Sequence, residues 1–184
     1  MKILAFLYKV NEKIKNIIRI LYFKEYTGNN VSTLNIYGNI HLINKNIKIG
    51  SHVTIYPEVQ IFGDGEIYIG DNVSIGNGTI IYASKGGGVR IGDNTLISAQ
   101  CYIIDSDHMT NVDIPIREQP CLVDKVTIGN DVWIAAGCKI LRGTIINDGC
   151  VIGAMSLVKG NIPRNHIAFG IPAKAIKERS ISNC

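Results

Sequence analysis

The sequence predicts an all-β chain wound as a parallel β-helix and preceded by a helical segment. Three observations predict it. An aliphatic residue recurs at every sixth position, at Ile91, Ile97 and Ile103 and again at Ile128, Ile134, Ile140, Ile146, Ile152 and Val158. Glycine follows several of these rungs directly, as Gly92, Gly129 and Gly153 do. Aliphatics carry the apolar mass, because 46% of residues are hydrophobic while only 7% are aromatic, and the excess of isoleucine favours strands.

The first 26 residues differ in kind from the rest. Ile3, Leu4, Leu7, Val10, Ile14, Ile17, Ile18 and Leu21 recur at helical spacing, with Lys9, Lys13, Lys15 and Arg19 between them. This is a basic amphipathic helix over 1–26, with a candidate break near Asn11. Two roles stay open for it: packing on its own domain or a neighbouring subunit, or lying on an anionic membrane surface.

Thr27-Gly-Asn-Asn30 is a turn cluster, and short alternating strands are expected around 34–36 and 40–43. The ladder then runs through Ile49, Ile55 and Ile61, slips by two residues at 63–66, and resumes at Ile69, Ile75 and Ile81. Ser84-Lys-Gly-Gly-Gly88 adds a further insertion before Ile91. Three hexads make a unit of about eighteen residues, and such units must stack because one alone cannot bury its apolar row. Three strands per coil give a triangular β-helix over 27–178, with a short tail at 179–184. The ladder breaks once at length, after Ile103, where Ile-Asp-Ser-Asp-His108 opens a polar loop spanning 104–125.

Composition narrows the function classes. At 184 residues the chain is one domain large enough to bury a core. A net charge of +4 is weak, and no arginine-rich stripe with interleaved aromatics marks a nucleic-acid binder. The five cysteines are odd in number and form no CxxC pair. Cys101, Cys138 and Cys150 each stand four residues after a rung, where a small residue points inward, so they are expected to be buried thiols in a reducing compartment. No stretch approaches the roughly twenty apolar residues that span a bilayer, and no cleavage site follows the first apolar run. A cytoplasmic protein is expected.

Repeats such as Ile69-Gly-Asp-Asn-Val73 and Ile128-Gly-Asn-Asp-Val-Trp133 resemble the hexapeptide-repeat acyltransferases, whose pattern is aliphatic-Gly-x-x-small-x. The resemblance covers roughly 49–177. It implies a left-handed parallel β-helix, usually a homotrimer with active sites between subunits. The order of the features is specific: His108, then Ile114-Pro-Ile116, the hexad with Trp133, and the closing Gly170-Ile-Pro-Ala-Lys174. Together they are similar to the acetyl-CoA-dependent sugar and polysaccharide O-acetyltransferases.

Moving an acetyl group from a thioester to a hydroxyl needs the hydroxyl proton removed as the oxygen attacks. An imidazole, with an ordinary pKa of about 6.5, suits that role. His108 is the candidate base. Asp105, Asp107 or a main-chain carbonyl are candidates to hold its tautomer, and Asp107 is also a candidate to contact acceptor hydroxyls. No serine or cysteine stands out as an acyl carrier, so direct transfer in a ternary complex is expected.

By resemblance, the donor's pantetheine arm runs past Ala136 and Ala154, with Trp133 near the thioester or the acceptor. Lys159, Lys174 and Lys177 match or lie near the basic positions at the nucleotide end. One departure stands out: galactoside and maltose enzymes carry an acceptor-binding Asn directly after the aliphatic of the hexad at 75–80. This chain has Gly76 there and Asn77 next. That turns the expectation from a free mono- or disaccharide toward a capsule, lipopolysaccharide or exopolysaccharide precursor, often lipid-linked at the inner face of the membrane.

Rival readings are an amino-sugar N-acetyltransferase, a streptogramin-type O-acetyltransferase and a non-catalytic β-helix scaffold. A zinc hydratase on the same fold needs clustered histidines, whereas His41, His52, His108 and His166 stand singly. No metal is expected.

Overall fold

The computed structural model describes residues 2–31 and 33–180. One α-helix, Lys2–Thr27, opens the chain and runs through Asn11 without a break. From Leu34 onward the chain winds through short strands that fall into three parallel sheets, the faces of a prism of about seven turns.

Each face contributes one interior column. On the first face Ile36, Ile55, Ile75, Ile97, Ile134 and Ile152 lie in register. On the second, Leu42, Ile61, Ile81, Ile103, Ile140 and Val158 do so. Ile49, Ile69, Ile91, Ile128, Ile146 and Ile162 form the third. All eighteen are buried. Alternate residues point to opposite faces, so a two-residue strand turns one side chain inward and a three-residue strand such as Leu34–Ile36 turns its first and last inward. The rung is the inward residue that the hexads share.

The corners explain the rest of the hexad. Between the third face and the next first face, His52, Asn72, Asn94, Asp131 and Asn165 take φ of 52–60°. That left-handed conformation costs Asn and Asp less than most residues. The preceding side chains form a ladder down the same corner. Asp71 Oδ1 accepts from the Ser51 amide at 2.6 Å, Asp93 from Asp71 at 2.8 Å, Asn130 from Asp93 at 2.8 Å and Asp148 from Asn130 at 2.8 Å. A Cβ on Gly70 would sit 2.9 Å from the Asp93 nitrogen, so the glycine after the rung is what lets successive coils close up here. Thr79, Thr95 and Thr144 point inward at corners and give their hydroxyl protons to carbonyls of the following coil. Cys101, Cys138 and Cys150 are likewise buried and unbridged, as expected.

All the insertions fall at one corner, between the second and third faces. They are Gly63–Gly65, Ser84–Gly87 and the long excursion after Ile104. The excursion is a hairpin: Ser106–His108 pairs antiparallel with Cys121–Val123.

At the far end His166–Gly170 closes the first sheet and pairs antiparallel with Ala173–Glu178, across a cis Ile171–Pro172 bond. Arg179 then donates to Asp131 Oδ2 at 2.9 Å and to the Gly149 carbonyl at 2.7 Å. Residues 181–184 of the expected tail, with Cys184, lie outside the described residues. Among the described residues no helix is long and apolar enough to cross a membrane.

Truncating a mid-column rung leaves a cavity between two rigid neighbours. Ile81→Ala should lower stability by about 2–5 kcal/mol in denaturant unfolding, while Ile145→Ala, at an exposed position, should change it by less than about 1 kcal/mol.

Candidate active site

The hairpin that carries His108 is anchored from beneath by a buried carboxylate. Asp105 is fully buried. It accepts the Ser84 amide at 2.9 Å and the Gly88 amide at 2.7 Å, both on the preceding coil. A side chain on Gly87 would run into Asp105 and into Val123 at the far foot of the hairpin, so the glycine run 86–88 lets this loop wrap the carboxylate. Asn44 occupies the equivalent place three coils earlier, donating to the Gly65 carbonyl at 3.0 Å. Asp105 therefore holds the corner loop. Both its oxygens accept backbone amides, and among the described residues no hydrogen bond joins it to His108.

Two residues on, Asp107 pairs with Arg142, whose Nε donates to Oδ2 at 3.0 Å. Arg142 sits at the same corner on the next coil, so the pair ties the hairpin to the coil above it. The tip of the loop is closed by Gln119, which is mostly buried. Its Nε2 donates to the Asn111 and Ile114 carbonyls at 2.9 and 2.6 Å, and its Oε1 accepts the Asn111 amide at 2.9 Å.

His108 is exposed at the end of this braced strand. Its cross-strand partner is Cys121, and His108 Nδ1 lies 3.8 Å from the Cys121 sulfur. A cavity of about 210 Å³ opens beside the imidazole. Tyr82, Tyr102 and Ile104 of the second face wall one side, and Ser106, Asp107, His108 and Cys121 of the hairpin wall the other. Tyr82 packs edge-on against Phe62 with centroids 6.2 Å apart. Burial, with Tyr82 beside it, pushes the Tyr102 phenol up, which keeps it a neutral donor. Aromatic faces next to a basic nitrogen form a surface suited to a sugar ring or a thioester.

The remaining expected residues lie elsewhere on the prism. Trp133 stands half-exposed on the first face, its Nε1 3.3 Å from Ser98 Oγ. Ala136 and Ala154 stack at the corner between the first and second faces, where the Met155 amide bonds the Ala136 carbonyl at 2.9 Å, and both are exposed. Lys174 and Lys177 are exposed on the terminal strand, opposite Phe169 and Ile167. Lys159 is exposed at the other corner, beyond the second face. A single chain thus carries two groups on different edges: His108 with Asp107, Tyr82, Tyr102 and Cys121, and Trp133, Ala136 and Ala154 at the first face and its corner, with Lys174 and Lys177 three strands further along that sheet.

Asn77 is not beside His108. Its amide donates to the Pro57 carbonyl at 2.8 Å, across the first-to-second corner. The missing Asn at position 76 has a steric reason, because a Cβ there would lie 2.5 Å from the Ala99 nitrogen. Sequence reasoning missed Cys121, Arg142, Tyr82 and Tyr102. Tyr82 and Tyr102 carried one signal, since each stands immediately after or before a second-face rung and must point outward. Among the described residues no group of three or more His, Cys, Asp or Glu could hold a metal ion.

The comparisons agree with the fold. The family described as bacterial transferase hexapeptide (six repeats) matches residues 125–160. A probable acetyltransferase of Mycobacterium tuberculosis is 40% identical over 120 residues, which are 65% of this chain and 39% of that protein. The chain thus spans well under half of that relative. WcaF of Escherichia coli, whose name assigns it to acetyl transfer in colanic acid biosynthesis, is 32% identical over 133 residues, 72% of this chain and 69% of WcaF. Among solved structures, an AntD variant, an N-acyltransferase from Bacillus cereus in complex with dTDP and coenzyme A, superposes with a TM-score of 0.65 at 26% identity. It covers 81% of this chain and 79% of its own.

Two outcomes test the site's construction. Asp105→Ala strands two amides and should cost about 3 kcal/mol in unfolding experiments. Brief alkylation with peptide mapping should label exposed Cys121 well before Cys101, Cys138 and Cys150. The hydrogen bond with Cys138 and burial push the Cys101 thiol up, which further slows its reaction.

Proposed function

The chain belongs to the hexapeptide-repeat acyltransferases, and on that premise we propose that it moves the acetyl group of acetyl-CoA to a sugar hydroxyl in a surface polysaccharide or its precursor. The observation that carries this reading is His108. It stands at the mouth of an aromatic cavity, on the one long excursion from an otherwise regular ladder.

In the proposed reaction His108 takes the proton of the acceptor hydroxyl as its oxygen attacks the thioester carbonyl. The C–O bond forms, the C–S bond breaks, and the proton leaves with the thiolate. Cys121, and not either aspartate of the loop, is the side chain within reach of Nδ1. Asp107, held by Arg142, keeps the strand in place and has its second oxygen for an acceptor hydroxyl. The donor arm fits the edge where exposed Ala136 and Ala154 leave the backbone open, with Trp133 beside it. Lys174 and Lys177 offer charge to the phosphates at the end of that edge, and Lys159 does so from the neighbouring corner.

Separation of the two clusters supports a site completed by a second copy, in a homotrimer where the hairpin of one subunit meets the alanine edge of the next. The exposed Val112, Ile114 and Ile116 at the hairpin tip give that contact an apolar surface. A cytoplasmic setting, on the inner side of a membrane, follows from a nucleotide-activated donor and a lipid-linked acceptor.

A second reading, N-acylation of an amino sugar, is favoured by the likeness to AntD. One experiment separates them. Free-thiol release from acetyl-CoA is followed with hydroxyl-bearing glycans, nucleotide-linked amino sugars and lipid-linked oligosaccharides. Turnover with a hydroxyl acceptor that falls by about 10²–10⁴ in His108→Ala is the expected result. Turnover with the amino sugar alone would favour the second reading, and equal rates in both proteins would remove His108 from the mechanism.

A further inference from the structure

The helix Lys2–Thr27 docks on the β-helix by its more polar side. Asn16 Oδ1 accepts the Ile36 amide at 2.8 Å, Phe23 is fully buried, and the Tyr26 hydroxyl donates to the Ile43 carbonyl at 3.0 Å. At 100° per residue, Glu12, Asn16, Arg19, Phe23 and Tyr26 share one side of the helix. A groove between Tyr8, Glu12 and Asn16 of the helix and Asn35 and Tyr37 of the first coil continues that contact toward the N-terminus.

The opposite side is apolar and uncovered. Ile3, Leu7, Val10, Ile14, Ile18 and Leu21 line it, and all six are exposed, Ile14 at 52% and Ile18 at 59%. At 1.5 Å per residue this stripe is about 27 Å long. A helix that packed only on its own domain would turn this stripe inward and the Asn16 side outward. Such a contiguous exposed patch marks an interaction surface.

Charge chooses the occupant. The helix holds six basic and two acidic residues, a net +4. That equals the net charge of the whole chain, so the remainder sums to zero. By the same 100° count Lys13 and Lys15 flank the stripe on opposite sides, whereas Lys9 falls toward the docked side and lines its groove. At the flanks, exposed Tyr22 supplies an amphipathic ring of the kind that sits at headgroup depth, and exposed Phe6 adds apolar surface. A second copy of the helix would bring like charges together, whereas an anionic lipid surface satisfies both the stripe and the lysines.

We propose that Lys2–Thr27 is an interfacial anchor, lying in the headgroup layer of an anionic bilayer with Ile3, Leu7, Val10, Ile14, Ile18 and Leu21 downward. The docked side already faces the coil, so the β-helix need not rearrange to bind. His108 lies on the fourth coil, three coil spacings or about 14 Å from the coil the helix covers. That distance lets the glycan of a membrane-held acceptor reach the cavity. The anchor itself does not depend on the chemistry proposed for His108.

Vesicle flotation of the full chain tests this, using phosphatidylcholine alone and phosphatidylcholine mixed with phosphatidylglycerol. The wild type should float with the mixed vesicles, less so with phosphatidylcholine alone and less at high salt. Ile14→Asp with Ile18→Asp, at positions too exposed to unfold the domain, should abolish flotation. Lys13→Gln and Lys15→Gln should each weaken it about fivefold on the anionic vesicles. Acetyl transfer to a water-soluble acceptor should be unchanged in all of these variants. Failure of the wild type to float with either vesicle would overturn the proposal, as would an Ile14→Asp, Ile18→Asp variant that floats like the wild type. A fall in sedimentation mass in that variant with flotation retained would assign the stripe to a second copy instead.

Discussion

The columns of stacked aliphatic side chains, one from each hexad, set the register on which everything else in this molecule depends. Each short strand bonds to the strands above and below, and a slip of one residue would turn its rung outward. With the rungs held in line, residues about twenty apart in sequence meet at every corner. The ladder from Asp71 through Asp148 and the inward threonines are results of that alignment. They stitch coils that the apolar stack has already brought into contact.

The same register explains how a rigid solenoid carries a site. Insertions are tolerated at corners, where the chain leaves one face before joining the next, and this molecule confines them to one corner. A loop of about twenty residues there would wander without further fixing. Asp105 fixes its foot to the preceding coil, Arg142 ties its strand to the following one, and Gln119 closes its tip. His108 is thereby presented on a hairpin that is both outside the repeat and held by it. The fully buried carboxylate is a structural device, and the half-exposed one beside it pairs with Arg142.

The N-terminal helix follows a different logic. Its periodicity alone is that of an ordinary amphipathic helix, yet the first coil takes the side with Asn16 and Phe23 and leaves the isoleucine stripe outward. Phe23 on the docked side is buried completely, and Ile20 and Tyr26 pack against the core beside it, which holds the helix in that rotation. Concentrating the net charge in this element leaves the rest of the chain electrically balanced.

The sequence by itself determined the period, the three-faced coil, the buried cysteines and the position of the break at His108. These follow from side-chain alternation and spacing, which are local along the chain. It also marked the family, through the order of the hexads, the histidine loop and the closing Gly-Ile-Pro-Ala-Lys. Only the tertiary structure decided the partners. Asp105 and Asp107 look alike in sequence, but one is drawn into the corner loop at Ser84–Gly88 and the other toward Arg142, thirty-five residues on. Cys121 faces His108 because the hairpin pairs at that register, and its loop length alone does not specify the pairing. The side of the helix that docks was likewise undetermined, because both roles fit the same heptad-like spacing. In each case the deciding contact joins residues on different coils, and no local pattern encodes which of several polar groups will arrive there.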